Sequence, residues 1–180
     1  MEKLVKLNDR SFRLFKSESE IISAVRDIAN QINDDYIGKR PLLVPVLNGS
    51  FMFASDLIKE LMLDCEISFV KGSSYTGTNS TANFNTQIGL EEIVEGRHII
   101  IIEDIVDTGN TLAQILPGFR AGNPASLKIA SLLLKPLALQ HDLKIDYVGM
   151  EIPNQFVVGY GLDYDGLGRN LRDIYQEAPE

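Results

Sequence analysis

Two adjacent carboxylates, Glu103 and Asp104, stand directly after a run of four isoleucines, and Asp107 follows three residues later. This order predicts a buried strand that runs into a loop, and a helix that starts near Thr108. The backbone N–H groups at 108–111 lie where that helix would begin, and such groups bind anions such as phosphate. The residues of this predicted anion cradle are Thr108, Gly109, Asn110 and Thr111.

The paired carboxylates narrow the class of ligand. Glu103 and Asp104 would repel a bare phosphate, so they need vicinal sugar hydroxyls or Mg²⁺ as partners. A sugar phosphate that carries a diol satisfies both the carboxylates and the cradle. The spacing matches neither a Walker A loop nor a Gly-x-Gly-x-x-Gly loop. The alternative is that Asp104 and Asp107 merely cap the helix.

The rest of the chain predicts the elements that must position these residues. Helices alternate with apolar strands, which indicates an α/β fold with a mostly parallel, doubly wound sheet flanked by helices. Pro117-Gly118 should end or kink the third helix early. The predicted helices are 17–36, which starts with the capping-box pair Ser17 and Glu20, about 51–63, and one from near Thr108; the predicted strands are 42–47, 65–71, 98–102, 128–134, 147–152 and a short 156–162.

Composition excludes several classes of function. The chain has 180 residues and a net charge of −8, which argues against nucleic-acid and anionic-lipid partners. One cysteine, Cys65, and two histidines, His98 and His141, allow neither an intrachain disulfide nor a Cys/His metal cluster. The N-terminus has no signal-peptide core and no apolar run is long enough to cross a membrane, so a cytoplasmic protein is predicted.

Five segments, in matching order, resemble a known family. Residues 103–111, Glu-Asp-Ile-Val-Asp-Thr-Gly-Asn-Thr, resemble the phosphoribosyl pyrophosphate signature of type I phosphoribosyltransferases. The other segments are similar to parts of the hypoxanthine (or hypoxanthine-guanine) phosphoribosyltransferases: the pyrophosphate loop at 47–53, the start of the closing loop at 73–75, the lysine segment that recognises the base at 134–136, and the purine-binding hood at 152–164.

The resemblance implies roles at the signature. Asp107 would be the catalytic general base, taking the proton from purine N7. Glu103 and Asp104 would hold the ribose hydroxyls, directly or through Mg²⁺. Residues 108–111 would hold the 5-phosphate.

It also implies a purine site. Lys135 would donate to the 6-oxo group, Phe156 would stack on the base, and Val157 would offer backbone groups to its edge. Ile105 would line the same site. Asp163 would lie there too and bind a second Mg²⁺. The alternatives are that Lys135 is a solvated lysine and that Phe156 is an ordinary core residue.

The pyrophosphate site is the last implied by the resemblance. Asn48, Gly49 and Arg169 would bind pyrophosphate, together with Ser74 and Tyr75 on a loop at 73–86 that closes over the substrates. Arg169 could instead be a surface charge. A cis peptide is expected between Leu47 and Asn48. This chain departs from many relatives at Asn48, where they have lysine, at Asn154-Gln155, where Asp-Lys is common, and at Ala82, where glycine is common.

The resemblance predicts one phosphoribosyltransferase domain over 1–180, with a core at about 17–150 and a small hood from 1–16 and 151–180. The predicted function is purine salvage, as a homodimer or homotetramer with Mg²⁺ as cofactor and phosphoribosyl pyrophosphate and a purine base as substrates. One alternative is a non-catalytic regulator of the same fold that binds phosphoribosyl pyrophosphate. Another, a Mg²⁺-dependent sugar phosphatase, lacks an early Asp-x-Asp motif.

Overall fold

The computed structural model describes residues 4–71 and 94–178. The predicted closing loop, with Ser74, Tyr75 and Ala82, lies outside them. The elements in the described residues are β1 (Leu4–Leu7), β2 (Arg10–Lys16), α1 (Glu18–Asp35), β3 (Leu42–Leu47), α2 (Phe51–Glu60), β4 (Glu66–Ile67), β5 (Val70–Lys71), β6 (His98–Val106), α3 (Asn110–Ala121), β7 (Ser126–Leu134), β8 (Tyr147–Glu151), β9 (Val157–Val158) and β10 (Ile174–Glu177).

The central sheet has the strand order β4-β3-β6-β7-β8, with β5 also pairing with β3. Its described pairings are all parallel. Helices α1 and α2 pack on one face of the sheet, and α3 packs on the other. The predicted α/β fold with a doubly wound parallel sheet is confirmed.

Strand β6 lies in the middle of this sheet because both of its faces are apolar. Ile99 and Ile101 pack toward α3, whereas Ile100 and Ile102 pack toward α1 and α2. The strand continues beyond the predicted end at 102, as far as Val106, because these residues keep pairing with β7. The carboxylates Glu103 and Asp104 therefore lie on the strand itself and not in a loop.

Helix α1 begins at the predicted capping box. The Ser17 N–H donates to Glu20 Oε2 (2.9 Å), and Ser17 Oγ accepts from the Glu20 N–H (3.4 Å). Helix α2 ends at Glu60, three residues before its predicted end. Asn33 of α1 explains this end, because its amide donates to the Glu60 carbonyl (3.2 Å) and accepts from the Met62 N–H (2.8 Å).

Helix α3 does not end early at Pro117-Gly118, so that part of the prediction is wrong. The helix starts at Asn110 and continues past the proline to Ala121. Proline lacks the N–H that would bond to the carbonyl of Ala113, which costs the helix stability. Phe119 lies beyond the proline and is only 1% exposed, so burying its side chain favours continuation of the helix. The predicted strand at 65–71 is also interrupted, forming β4 and β5.

A second, antiparallel sheet has the order β1-β2-β10-β9 and corresponds to the predicted hood. It combines the two ends of the chain, with Phe12, Val158 and Tyr175 as its buried centre. The predicted strands included none of β1, β2 and β10. In the described residues, no helix is long and apolar enough to cross a membrane.

Candidate active site

The carboxyl ends of β3, β6 and β7 and the hood surround two adjoining cavities. One, of about 260 Å³, is lined by residues 103–112. The other, of about 280 Å³, brings together residues that are far apart in the sequence: Gly49, Asp104, Ile105, Asp107, Lys135, Phe156, Val157, Leu162, Asp163 and Arg169. Except for Leu162, every residue that lines this second cavity was predicted to be a site residue.

The first cavity contains the predicted anion cradle. Gly109 is the N-cap of α3 and has a φ of +80°, a conformation that favours glycine. The first N–H groups of a helix have no intrahelical acceptor, so those of α3 can bind a ligand. The Asn110 N–H at the start of α3 donates to Thr108 Oγ1 (3.4 Å), and within the described residues no α3 N–H donates to Asp104 or Asp107, so the alternative that these two residues cap the helix is wrong.

Glu103 and Asp104 are held in a setting that disfavours negative charge. Burial, followed by the charge of Asp104, raises the pKa of Glu103 well above its ordinary value. Burial also raises the pKa of Asp104 to about 6, against the effect of the Ile105 N–H, which donates to Asp104 Oδ1 (2.9 Å). A cation or hydroxyl donors at this pair would favour the charged form of the carboxylates and lower these pKa values.

Asp107 and Lys135 form an ion pair in the wall of the second cavity. Lys135 Nζ donates to Asp107 Oδ2 at 2.6 Å, and the two side chains are 7% and 43% exposed respectively. The Lys135 N–H also donates to the carbonyl of Val106 (2.9 Å), which ties the end of β7 to the end of β6. Lys135 is therefore not a solvated surface lysine.

Phe156 is not an ordinary core residue either, since 40% of it is exposed. Its ring meets the edge of Tyr164 at 82°, with 5.9 Å between centroids, and lies 6.2 Å from the ring of Phe12. These contacts hold the ring while part of it faces the cavity, whereas the neighbouring Val157 is buried. Such a ring can stack on a planar ligand.

Arg169 lines the second cavity and is not a free surface charge. Its guanidinium donates to the Gly161 carbonyl (2.6 Å) and lies 2.7 Å from Asp163 Oδ1. Gly161 packs so closely on the Gly49 carbonyl that a Cβ there would collide with it, and a Cβ on Gly49 would collide with the Asp104 carboxylate. Three parts of the chain therefore meet at Gly161 and Gly49, namely the hood, the loop that follows β3, and strand β6.

The other predicted residues lie as follows. The Leu47–Asn48 peptide bond is cis, as predicted, and Asn48 is exposed beside the second cavity, although it does not line it. His98 is the first residue of β6, at the opposite end of the strand from the site. A larger cleft, of about 550 Å³, lies between the ends of α1 and α2 and contains none of the predicted site residues.

Comparison with known proteins agrees with this arrangement. The model of the phosphoribosyl transferase domain family matches residues 15–165. The chain is 41% identical to a hypoxanthine-guanine phosphoribosyltransferase of Streptococcus pneumoniae, over 88% of this chain and 89% of that one. It is 36% identical to a hypoxanthine-guanine-xanthine phosphoribosyltransferase of Tritrichomonas foetus, over 88% and 87%. The crystal structure of a hypoxanthine phosphoribosyltransferase from Staphylococcus aureus superposes with a TM-score of 0.85 at 40% identity, covering 92% of this chain and 91% of that one.

The chain therefore belongs to the phosphoribosyltransferase family. Within it, the chain falls among the hypoxanthine and hypoxanthine-guanine phosphoribosyltransferases, and it is a transferase enzyme. These relatives are all named as enzymes, which leaves the alternative of a non-catalytic regulator without support.

Proposed function

We propose that this enzyme transfers the 5-phosphoribosyl group of phosphoribosyl pyrophosphate to N9 of hypoxanthine, and also of guanine. The products are inosine or guanosine monophosphate and pyrophosphate. The proposal rests chiefly on one observation, the Asp107–Lys135 pair, which lies beside an anion cradle and faces an exposed aromatic ring. A purine presents an acceptor (O6) and a donor (N7–H) side by side, and Lys135 and Asp107 offer the complementary groups.

The base lies against Phe156 in this proposal. Lys135 donates to O6, and the backbone of Val157 meets the pyrimidine edge of the purine. The N9 lone pair forms the bond to ribose C1 while the bond from C1 to the pyrophosphate oxygen breaks, and pyrophosphate leaves with that electron pair. Asp107 takes the proton from N7, and its charge stabilises the positive charge that develops on the ribose.

The 5-phosphate lies in the cradle, bound by Thr108, Gly109, Asn110 and Thr111. The N-terminus of α3 supplies N–H donors there, and the helix dipole favours the negative charge. Pyrophosphate lies on the other side of the ribose, near Asn48, Gly49 and Arg169. The proposed contributions of Ser74 and Tyr75 fall outside the described residues.

The carboxylates of Glu103 and Asp104 are suitable ligands for one shared Mg²⁺ ion. Carboxylate oxygens are the donors that Mg²⁺ prefers. Burial raises the pKa values of Glu103 and Asp104 even though the Arg169 charge lowers that of Asp104, so the pair has too little positive charge nearby to offset its burial. The described residues contain no cluster of three or more metal-binding side chains, so substrate oxygens would complete the coordination. Glu103 and Asp104 would hold the ribose hydroxyls, directly or through one Mg²⁺ ion, and Asp163 would bind a second ion.

Bound Mg²⁺ would supply charge neutralisation for the leaving pyrophosphate. The need for it should be strong in this chain, because Asn48 provides no positive charge at the pyrophosphate loop. We expect excess chelator to abolish turnover and added Mg²⁺ to restore it. Full activity in chelator would contradict the metal assignment.

The decisive experiment measures pyrophosphate release from phosphoribosyl pyrophosphate with and without hypoxanthine. The proposed transferase releases pyrophosphate in step with inosine monophosphate, and only when the base is present. Release without a base would indicate a hydrolase. Binding of phosphoribosyl pyrophosphate without release would indicate a regulator.

We also propose a homodimer or homotetramer. Met62 and Leu137 are 85% and 92% exposed, and a second copy of the chain could cover such apolar side chains. Light scattering after size-exclusion chromatography would measure the mass, and a monomer at micromolar concentration would contradict this proposal.

The cytoplasmic location stays a prediction.

A further inference from the structure

The segment that follows β7, residues 136–143, lies against the anion cradle. The Gln140 N–H donates to the carbonyl of Thr108 at 3.0 Å. Leu139 and Leu143 lie so close to Gly109 that a Cβ on this glycine would be 2.9 Å and 2.7 Å from their Cδ1 atoms. Both leucines also pack against the core on the α3 side of the sheet. This segment therefore forms an outer wall of the cradle.

His141 contacts the cradle through a side chain. Its Nε2 lies 2.7 Å from Oδ1 of Asn110, the first residue of α3. An amide oxygen only accepts hydrogen bonds, so the imidazole Nε2–H is the donor. Both side chains are exposed, so a ligand in the cradle can approach this pair.

The contact determines which groups of Asn110 remain for a ligand. With Oδ1 occupied by His141, the free part of the amide is its NH₂ group, which only donates. A phosphate only accepts, so this orientation suits it, whereas the flipped amide would point an oxygen at the anion.

We propose that His141 is a positioning residue of the 5-phosphate site, which orients the Asn110 amide so that its donors face the anion. This inference rests on the proposed function, in which residues 108–111 hold the 5-phosphate. The sequence did not reveal it, because His141 is 31 residues from Asn110 and belongs to no motif.

The test measures binding to the full-length protein by calorimetry, with ribose 5-phosphate and, separately, pyrophosphate as ligands. One hydrogen bond stabilises by about 1 kcal/mol, so His141→Ala should weaken ribose 5-phosphate binding about fivefold. Pyrophosphate binding should not change. In turnover, the effect should fall on KM for phosphoribosyl pyrophosphate rather than on kcat. His141→Gln should restore binding, because a glutamine amide can also donate to Asn110.

Two further variants separate this inference from the proposed function. His98→Ala is the matched control, since His98 bonds to Ser126 (2.8 Å) at the far end of β6 and should leave ribose 5-phosphate binding unchanged. Thr111→Val removes a proposed phosphate ligand and should weaken that binding. If wild-type protein fails to bind ribose 5-phosphate, or Thr111→Val binds it equally well, the proposed function of the cradle fails.

Other results would contradict the role of His141 alone. If Thr111→Val weakens binding but His141→Ala does not, the cradle stands and the role of His141 is wrong. The role is equally wrong if His98→Ala has the same effect as His141→Ala, or if His141→Gln stays as weak as His141→Ala.

Discussion

Lys135 Nζ lies 2.6 Å from Asp107 Oδ2, and this contact joins the segments that follow two neighbouring parallel strands, β7 and β6. The lysine is nearly buried, whereas the carboxylate is open to the cavity. In the proposed function this contact places base recognition next to base activation, with one group for each of two nearby purine atoms.

Lys135 should determine the choice of base. Adenine carries an amino group at C6, and both this group and the Lys135 ammonium group are hydrogen-bond donors, so no hydrogen bond can form between them. Adenine turnover should therefore be less than a tenth of hypoxanthine turnover. Lys135→Gln should lower kcat/KM for hypoxanthine about 10- to 100-fold, as expected for loss of a hydrogen bond from a charged group. Steady-state assays with both bases measure these effects.

Lys144→Gln serves as the control, because this lysine is 87% exposed and should leave the rate unchanged. Adenine turnover within tenfold of hypoxanthine turnover would show that Lys135 does not select the base.

Asp107→Asn should lower kcat by about 10²–10⁴-fold, because asparagine retains the shape but cannot accept the N7 proton. KM for phosphoribosyl pyrophosphate should change much less, since the cradle and the metal hold that substrate. Asp27→Asn, on the exposed face of α1, is the matched control. A folded Asp107→Asn protein that retains more than about a tenth of the wild-type kcat would overturn the assignment of the general base.

Asp104 should make the stability of the ligand-free enzyme depend on pH. Its pKa is raised from 3.8 to about 6 in the folded protein, so between these values the folded state binds more protons than the unfolded state. This contribution to stability is present below about pH 4 and is lost as the pH rises through about 6.

The Asp104→Asn protein has no carboxyl group at this position and does not lose this contribution. The difference in the free energy of unfolding, variant minus wild type, should therefore become more positive from pH 4.5 to pH 7, by on the order of 1 kcal/mol. Urea unfolding at the two pH values measures this difference. Removing the Asp104 charge also makes the raised pKa of Glu103 less extreme, which changes the difference in the same direction. A difference that stays constant or decreases would therefore show that the Asp104 pKa is not raised.

Gly109→Ala should weaken both folding and phosphate binding. The new Cβ would lie 2.7 Å from Leu143 and 2.9 Å from Leu139, and it would also strain a backbone with a φ of +80°. Gly38→Ala is a matched control, since Gly38 has a φ of +71° and nothing within 4 Å of the added Cβ. The strain alone is expected to cost roughly 1–2 kcal/mol in both variants.

The additional loss of stability in Gly109→Ala, and its weaker binding of ribose 5-phosphate, would then come from the crowded cradle. Thermal unfolding and calorimetry measure the two effects. Equal losses of stability in both variants, with unchanged phosphate binding in Gly109→Ala, would show that the wall at 136–143 is not packed as described.

Local chemistry explains what the sequence by itself determined. The Ser17–Glu20 capping box starts α1 because both of its hydrogen bonds form within one turn. The isoleucines at 99–102 specify a strand covered on both faces, because alternate side chains need apolar contacts on opposite sides. The cradle at 108–111 was visible for the same reason, since its donors and Gly109 are consecutive in the chain.

Tertiary structure decided whatever depends on contacts between distant segments. Strand β6 extends to Val106 because β7 offers partners there, and α3 passes Pro117 because Phe119 gains burial in the core. Strand β10 exists because β2, at the other end of the chain, supplies the edge with which it pairs. The two contacts Lys135–Asp107 and His141–Asn110 form because parallel strands place their following segments at one edge of the sheet, a proximity that residue spacing does not encode.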